Sequence, residues 1–165
     1  KEIHKAQEAL MDGKDPVTVK PELAEIMDEI HVQFPQAAND NIGFGSTIFA
    51  VKPGDGSARE QAASCQKVLG GWANIANEYA TKRYRSNLIN WGMLPFVIPD
   101  GDLPFTNHDY LFFPGIRKAV EEKVAEITGY VVDADGLKPF TVTLGELTDE
   151  ERQIILKGMR ESRGL

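Results

Sequence analysis

Apolar residues recur at helical spacing in two segments near the start of the chain, and short apolar runs alternate with amphipathic ones after them. The first two predicted helices are 2–11 and 21–31, and the second opens with Pro21, a residue that suits a first helical turn. Strands that alternate with helices along the rest of the chain indicate an α/β fold with a partly parallel sheet. The later predicted elements are strands 46–51, 72–79, 93–98, 128–133 and 138–144, helices 57–69, 80–90, 115–124 and 148–159, and an ordered loop at 99–114 that is rich in proline, aspartate and aromatic residues.

The junction between the strand 46–51 and the helix after it has the most distinctive local sequence, GDGSARE at residues 54–60. Glycine lets a ligand approach the backbone closely, and the unpaired N–H groups of a first helical turn favour an anion. Ser57 and Glu60 match a capping box, which predicts that the helix begins at Ser57. A second box, from Thr148 to Glu151, opens the last predicted helix. The hydroxyl and guanidinium beside the glycines indicate either a carboxylate-binding loop or only a tight turn before a helix.

Composition narrows the classes of function. The length of 165 residues fits one domain, and the net charge of −7 argues against a nucleic-acid surface or an anionic membrane partner. No apolar run approaches the roughly 20 residues of a membrane span, and no signal-peptide pattern is present, so the cytoplasm is the expected location. The single cysteine, Cys65, shares a helical face with Ala62 and Leu69 and is expected in the core. Because the first residue is Lys1, we expect a fragment, a processed subunit or a chain with a further leader.

Two other groups of residues are weaker candidates. The three histidines lack the spacing of a metal site, and we expect them to be packed or exposed side chains: His4, His31 and His108. A small basic cluster opens the helix 80–90 and indicates either a solvated helix face or a contact with a substrate carboxylate or another domain: Lys82, Arg83 and Arg85.

A second motif, YRSNLINWGMLP at residues 84–95, follows the glycine-containing motif. Together they resemble the swivelling domain of the aconitase and isopropylmalate isomerase superfamily. Its pattern is a G-x-G-S-S-R-E-x-A loop, a strand, and a helix that carries an S/T-N-L or N-C/N-L element and ends in G-[LIM]-L-P. Order and spacing agree over about residues 43–98, and residues 147–156 also resemble the end of the family's domain.

The resemblance implies a three-layer β/β/α swivelling domain at 43–161, with residues 1–42 as a helical extension outside the family. It implies a hydro-lyase that reversibly dehydrates a hydroxy di- or tricarboxylic acid. The site would be shared with a domain or large subunit whose three cysteines hold a [4Fe–4S] cluster. Carried over by the motif, Ser57 is the base, Arg59 binds a substrate carboxylate, and Gly56 and Ala58 complete the substrate-binding loop. The isolated chain would then be inactive.

The chain departs from the family pattern near the loop. Ala58 stands where the family has a second serine, and Lys52 and Pro53 replace an asparagine and an aromatic residue. The early family motif G-D-x-I-T-T-D-H and a further substrate arginine are not found in residues 1–42. These departures keep open a non-catalytic, stand-alone domain that binds a small carboxylate or a protein partner. RNA binding, which some aconitase relatives show, is disfavoured by the net charge of −7.

Overall fold

A computed structural model describes residues 2–37 and 42–161, so the prediction made on Lys1 lies outside the described residues. Within these ranges the helices are α1 (Glu2–Met11), α2 (Leu23–Gln33), α3 (Arg59–Val68), α4 (Lys82–Asn90), α5 (Ile116–Glu121) and α6 (Asp149–Glu161). A short 3-10 helix covers Pro16–Thr18. The strands are β1 (Ser46–Ala50), β2 (Gly71–Ala76), β3 (Leu94–Val97), β4 (Tyr110–Phe112), β5 (Glu126–Asp133) and β6 (Gly136–Thr143).

The described strands form one six-stranded mixed sheet in the order β1-β2-β3-β6-β5-β4. Strands β1, β2 and β3 are parallel and are connected through α3 and α4, whereas β4, β5 and β6 pair antiparallel. Because such crossovers are almost always right-handed, α3 and α4 cover the same face of the parallel half. The predicted α/β class with a partly parallel sheet and flanking helices is confirmed.

The two faces of the sheet pack against different parts of the molecule, as adjacent residues of β2 and of β5 show. Strand side chains alternate between the two faces of a sheet. On β2, the Asn74 side chain bonds to Tyr84 of α4, whereas Ile75 lies in the main hydrophobic core. On β5, Val131 lies in that same core, whereas Val132 packs against α2. The main core therefore lies between the parallel and antiparallel halves of a curved sheet, with α3 and α4 outside one half and α2 outside the other.

The segment predicted as an ordered loop at 99–114 contains strand β4, so that prediction is wrong over Tyr110–Phe112. Tyr110 pairs with Val132 and Phe112 with Tyr130 in antiparallel register. A strand of three residues is too short to show an alternating pattern. It forms because a distant strand offers its edge, which is information that a local window of sequence does not contain.

Cys65 is exposed, so its prediction as a core residue is wrong. Leu69 on the same predicted face is 62% exposed, and the residue of α3 that is fully buried is Ala63. Ala63 packs with Tyr84 and other residues of α4 in a small separate cluster. The prediction that Ala62, Cys65 and Leu69 form the buried face of α3 is wrong because this polar helix contacts α4 through one small side chain, that of Ala63.

The N-terminal helices are confirmed and are joined to the sheet. The buried Gln7 of α1 donates from Nε2 to the carbonyl of Phe44 at 2.6 Å and to that of Gly70 at 3.2 Å. Phe44 precedes β1 and Gly70 precedes β2, so one amide ties α1 to the starts of both strands. The predicted division into 1–42 and 43–161 stays a prediction. Within the described ranges no helix is both long and apolar enough to cross a membrane.

Candidate functional site

The carboxyl ends of β1 and β2 open at one edge of the parallel half, where ligands bind in many α/β proteins. We call residues 51–58, which connect β1 to α3, the glycine loop; residues 77–81 connect β2 to α4 beside it. Asn77 donates from Nδ2 to the carbonyls of Ile98 and Pro99, at 3.1 and 3.2 Å, and so ties this edge to the end of β3. The loops that follow β2 and β3 are thus joined by hydrogen bonds at the carboxyl ends of the parallel strands.

The first part of the glycine loop, residues 51–54, is the anchored half. The backbone N–H of Glu78 donates to the Val51 carbonyl at 3.1 Å, and that of Ala80 donates to the Pro53 carbonyl at 2.9 Å. Gly54 has φ +98°, and an added Cβ there would lie 2.5 Å from the Cγ atom of Tyr84. Glycine is therefore required at 54 both by the backbone conformation and by the neighbouring ring.

The Gly54 carbonyl accepts two hydrogen bonds that hold the entrance to α3. Arg59 donates to it from Nε at 3.0 Å, and Thr81 donates from Oγ1 at 3.2 Å. Arg59 is half-buried, and this bond fixes its side chain along the loop. The bond uses only the Nε–H group, so the terminal amino groups of the guanidinium can still bind a carboxylate.

The second part of the loop, residues 55–58, is the open half, and all of its residues are exposed. The capping-box prediction at Ser57 is wrong: α3 begins at Arg59, with Ala58 in the N-cap position and no side-chain cap. By contrast, the box at Thr148 and Glu151 is confirmed by reciprocal bonds of 2.9 and 3.1 Å. The Ser57 hydroxyl is therefore not used to cap the helix, and the first N–H groups of α3 lack a side-chain partner.

Gly56, unlike Gly54, is not required by the fold, either by its backbone conformation or by a close neighbour. Its φ is outside the positive region, and an added Cβ there would meet no atom of the described chain within 4 Å. The absence of a side chain at Gly56 leaves the backbone open toward the start of α3. Gly56, Ser57 and Ala58 are thus exposed residues before α3, and folding does not require a glycine at position 56.

Comparison with known protein families identifies the part of the chain that contains the glycine loop. Residues 33–101 match the family described as the aconitase C-terminal domain. The chain is similar to that family over this segment, which we call the aconitase segment. No curated protein matches the chain. The aconitase segment runs from the end of α2 past the end of β3, so it includes the whole parallel half and the glycine loop.

Three other basic residues of the aconitase segment, those of the predicted basic cluster, differ in their surroundings from Arg59. Arg85 donates from Nη2 to the carbonyls of Leu144 and Glu146, at 3.1 and 2.9 Å, so it links α4 to the segment before α6. Lys82 and Arg83 are exposed in the first turn of α4. Of the predicted basic cluster, Arg85 is therefore structural, and the other two add positive charge near the same edge.

Thr81 and Tyr84 of the aconitase segment contribute to the site, although the motif alone did not indicate a role for either. Thr81 is the N-cap of α4 and accepts from the Tyr84 N–H at 3.1 Å. Threonine is a preferred N-cap residue, and this signal could have moved the start of the predicted helix 80–90 to the residue after Thr81. Nothing in the local sequence pattern indicates that Tyr84 lies against Gly54, since that contact joins the glycine loop to helix α4.

The aconitase segment does not by itself supply the ligands of an iron–sulfur cluster. No group of three or more histidine, cysteine, aspartate or glutamate residues suited to a metal ion occurs in the described part of the chain. Cys65 is the only cysteine in the sequence, and a cluster held by three cysteines needs more thiolates than one chain of this kind offers. The location of a cluster in another domain or subunit stays a prediction.

Proposed function

We propose that this chain is the swivelling domain of an aconitase-like hydro-lyase and supplies Ser57 and Arg59 to a site shared with an iron–sulfur domain or large subunit. The substrate would be a hydroxy di- or tricarboxylic acid. The observation that carries the proposal is the open half of the glycine loop, which leads without a side-chain cap into α3 beside the Arg59 guanidinium. The family match supports it because the matched residues include this loop.

Arg59 is the residue that binds a substrate carboxylate. Its Nε–H bond to the Gly54 carbonyl orients the plane of the guanidinium, and its terminal amino groups are free to form paired bonds to two carboxylate oxygens. The partial positive charge at the uncapped start of α3 favours the same anion. Gly56 and Ala58 keep the approach to the backbone N–H groups free of bulky side chains.

Ser57 acts as the base that removes a proton from the substrate carbon next to a carboxylate. The hydroxyl on the neighbouring carbon takes up a proton at the shared site and leaves as water, so that a C=C bond forms between the two carbons. A serine alkoxide needs strong stabilisation, and the nearby guanidinium and helix N–H groups provide positive potential for it. Ser57 is exposed in this chain, so the exclusion of water would come from closure over the other domain. The single cysteine does not fit a cluster of its own, and we assign the cluster to that other domain.

A non-catalytic domain that binds a small carboxylate or a protein partner is the second candidate. Ala58 in place of the family's second serine favours it, because one hydrogen bond to a substrate is lost. Both candidates use the open half of the loop, and only the first requires the Ser57 hydroxyl. A reducing compartment such as the cytoplasm suits either candidate, since the only thiol is exposed and has no second cysteine to pair with.

The test uses the complete protein with its cluster-bearing domain or subunit. We expect Ser57→Ala to lower kcat by about a thousandfold while KM changes little, since a base acts in the transition state. The control is Ser64→Ala on α3, where the hydroxyl bonds only to the Gln61 carbonyl at 3.2 Å. An unchanged kcat for Ser57→Ala would exclude the base. A complete protein that hydrates no unsaturated di- or tricarboxylate would support the binding domain instead.

A further inference from the structure

The anchored half of the glycine loop lies directly on the side chain of Tyr84. Tyr84 is 2% exposed, and an added Cβ on Gly54 would lie 2.5 Å from its Cγ and 2.7 Å from its Cδ1. The Gly54 backbone and the aromatic ring are thus packed with no room for a side chain between them. The position of this ring sets how far the loop stands above α4.

The Tyr84 hydroxyl forms hydrogen bonds with side chains of α3 and β2. Gln66 Nε2 lies 2.9 Å and Asn74 Nδ2 lies 3.0 Å from the Tyr84 hydroxyl oxygen. Gln66 is about two turns into α3, the helix that begins at Arg59, and Asn74 is in the middle of β2. One side chain therefore contacts the start of the loop, the helix at its end and the central strand beneath.

The bonds around this hydroxyl are costly to remove. Within the described residues, the Gln66 Oε1 and Asn74 Oδ1 atoms are buried and lack a hydrogen-bond partner. The hydroxyl also has a proton to donate, and either amide can turn its oxygen toward it by rotating about its last bond. Without the hydroxyl, both amides would lose their shared partner in a place where water does not replace it.

We propose that Tyr84 is a positioning residue of the candidate site: its ring supports Gly54 and its hydroxyl holds α3, so that Ser57 and Arg59 are presented at a fixed place between them. That these two residues meet a substrate rests on the proposed function, whereas the support of the loop by Tyr84 does not.

Tyr79 provides a matched control for the hydroxyl. Its ring lies 6.3 Å from that of Tyr84, centroid to centroid, and its hydroxyl donates to the carbonyls of Phe96 and Asn74 at 2.8 and 3.3 Å. Burial raises the pKa of Tyr79 well above its ordinary value, so the phenol keeps the proton that it donates. Its bonds join β2 to β3, so loss of this hydroxyl leaves the ties to α3 in place.

The experiment measures local protection in this chain by NMR, with hydrogen exchange and two probes. One probe is the Ala62 amide, which donates to the Ala58 carbonyl at 3.0 Å; the other is the Arg59 Nε–H, which donates to the Gly54 carbonyl at 3.0 Å. We expect Tyr84→Phe to accelerate exchange of both about tenfold and to leave the amides of β5 and β6 unchanged. Tyr79→Phe should leave both probes at the wild-type rate.

If Tyr84 only contributed to overall stability, Tyr84→Phe would accelerate hydrogen exchange evenly across the sheet. That result, or equal effects of the two phenylalanine variants, would overturn the positioning role. If Tyr84→Phe does not fold, Gln66→Ala removes the α3 partner alone and should give a smaller, equally selective change, with Gln61→Ala as its control. Neither probe needs a substrate. Absence of hydratase activity would remove the proposed function only, and unchanged probes would remove the role of Tyr84 only.

Discussion

The two halves of the glycine loop are held in very different ways. Residues 51–54 are held by backbone bonds from Glu78 and Ala80, by a side-chain bond from Thr81 and by contact with Tyr84. Residues 55–58 are exposed, and α3 begins without a side-chain cap. Packing therefore explains Gly54 in the anchored half, and it explains none of the residues of the open half. A short motif can thus combine residues that serve the fold with residues that are free to serve a ligand.

The two glycines of the motif show this division most directly. Gly54 has a left-handed φ of +98° and a buried ring beside it, whereas Gly56 has neither a positive φ nor a neighbouring atom of the described chain within 4 Å of an added Cβ. If the comparison is right, substitution at Gly54 changes stability and substitution at Gly56 changes ligand binding.

The largest effect is expected from Gly54→Ala. The new methyl group would meet Tyr84, which is 2% exposed and cannot move away, and alanine disfavours φ +98°. We expect the free energy of unfolding to fall by about 3 kcal/mol. Chemical denaturation of this chain measures it, with Gly56→Ala as the matched control. Equal stability of the two variants would contradict the division of the loop.

Arg59→Lys tests the boundary between the halves, since Arg59 bonds back to Gly54 and borders the open half. Lysine keeps the charge, but it loses both the Nε–H bond and the planar group that pairs with a carboxylate. In the complete protein, under the proposed hydro-lyase function, we expect KM to rise by about thirtyfold. Arg117→Lys, in an exposed pair with Glu121 on α5, is the control. Similar KM values for the two variants would exclude Arg59 as the carboxylate-binding residue.

Much of the parallel half could be predicted from the sequence because its signals are local. The apolar run that became β1 and the motif after it are continuous, and Thr148 with Glu151 shows that a capping box can predict a helix start. The similar box at Ser57 failed. There the Arg59 side chain bonds to the Gly54 carbonyl, and the helix begins after Ala58. The sequence matches the spacing of a capping box, but no side chain caps α3 and the helix begins at Arg59 instead of Ser57.

The features that could not be predicted depend on contacts between distant segments. Strand β4 needs the edge of β5, and the burial of Ala63 depends on how α3 meets α4. For the same reason, the motif indicated Ser57 and Arg59 as candidates but gave no role to Tyr84. Only the folded chain brings Gly54 and Tyr84 together.

Gly56→Ala tests the open half of the loop, where we expect an effect on ligand binding and not on stability. Because the site of its new methyl group is open and the backbone is not left-handed, we expect the free energy of unfolding to stay equal or to rise by about 0.5 kcal/mol. In the complete enzyme the methyl group would stand where a carboxylate approaches the backbone, and KM should rise by roughly fivefold. Paired denaturation and steady-state kinetics test both statements. A clear loss of stability with normal kinetics would place Gly56 in the anchored half.

The smallest effect is expected from Lys52→Asn, which introduces the residue that the family pattern has before the glycines. Lys52 Nζ lies 3.2 Å from Glu78 Oε2, but both side chains are more than half exposed, at 54% and 64%. The backbone bond from the Glu78 N–H to the Val51 carbonyl holds this part of the loop without the ion pair. We therefore expect a stability change of at most about 0.5 kcal/mol, which high salt should abolish. Denaturation of Lys52→Asn, Glu78→Gln and the double variant measures the pair directly. A larger coupling between the two side chains would mean that the anchored half depends on its charges as well as on its backbone.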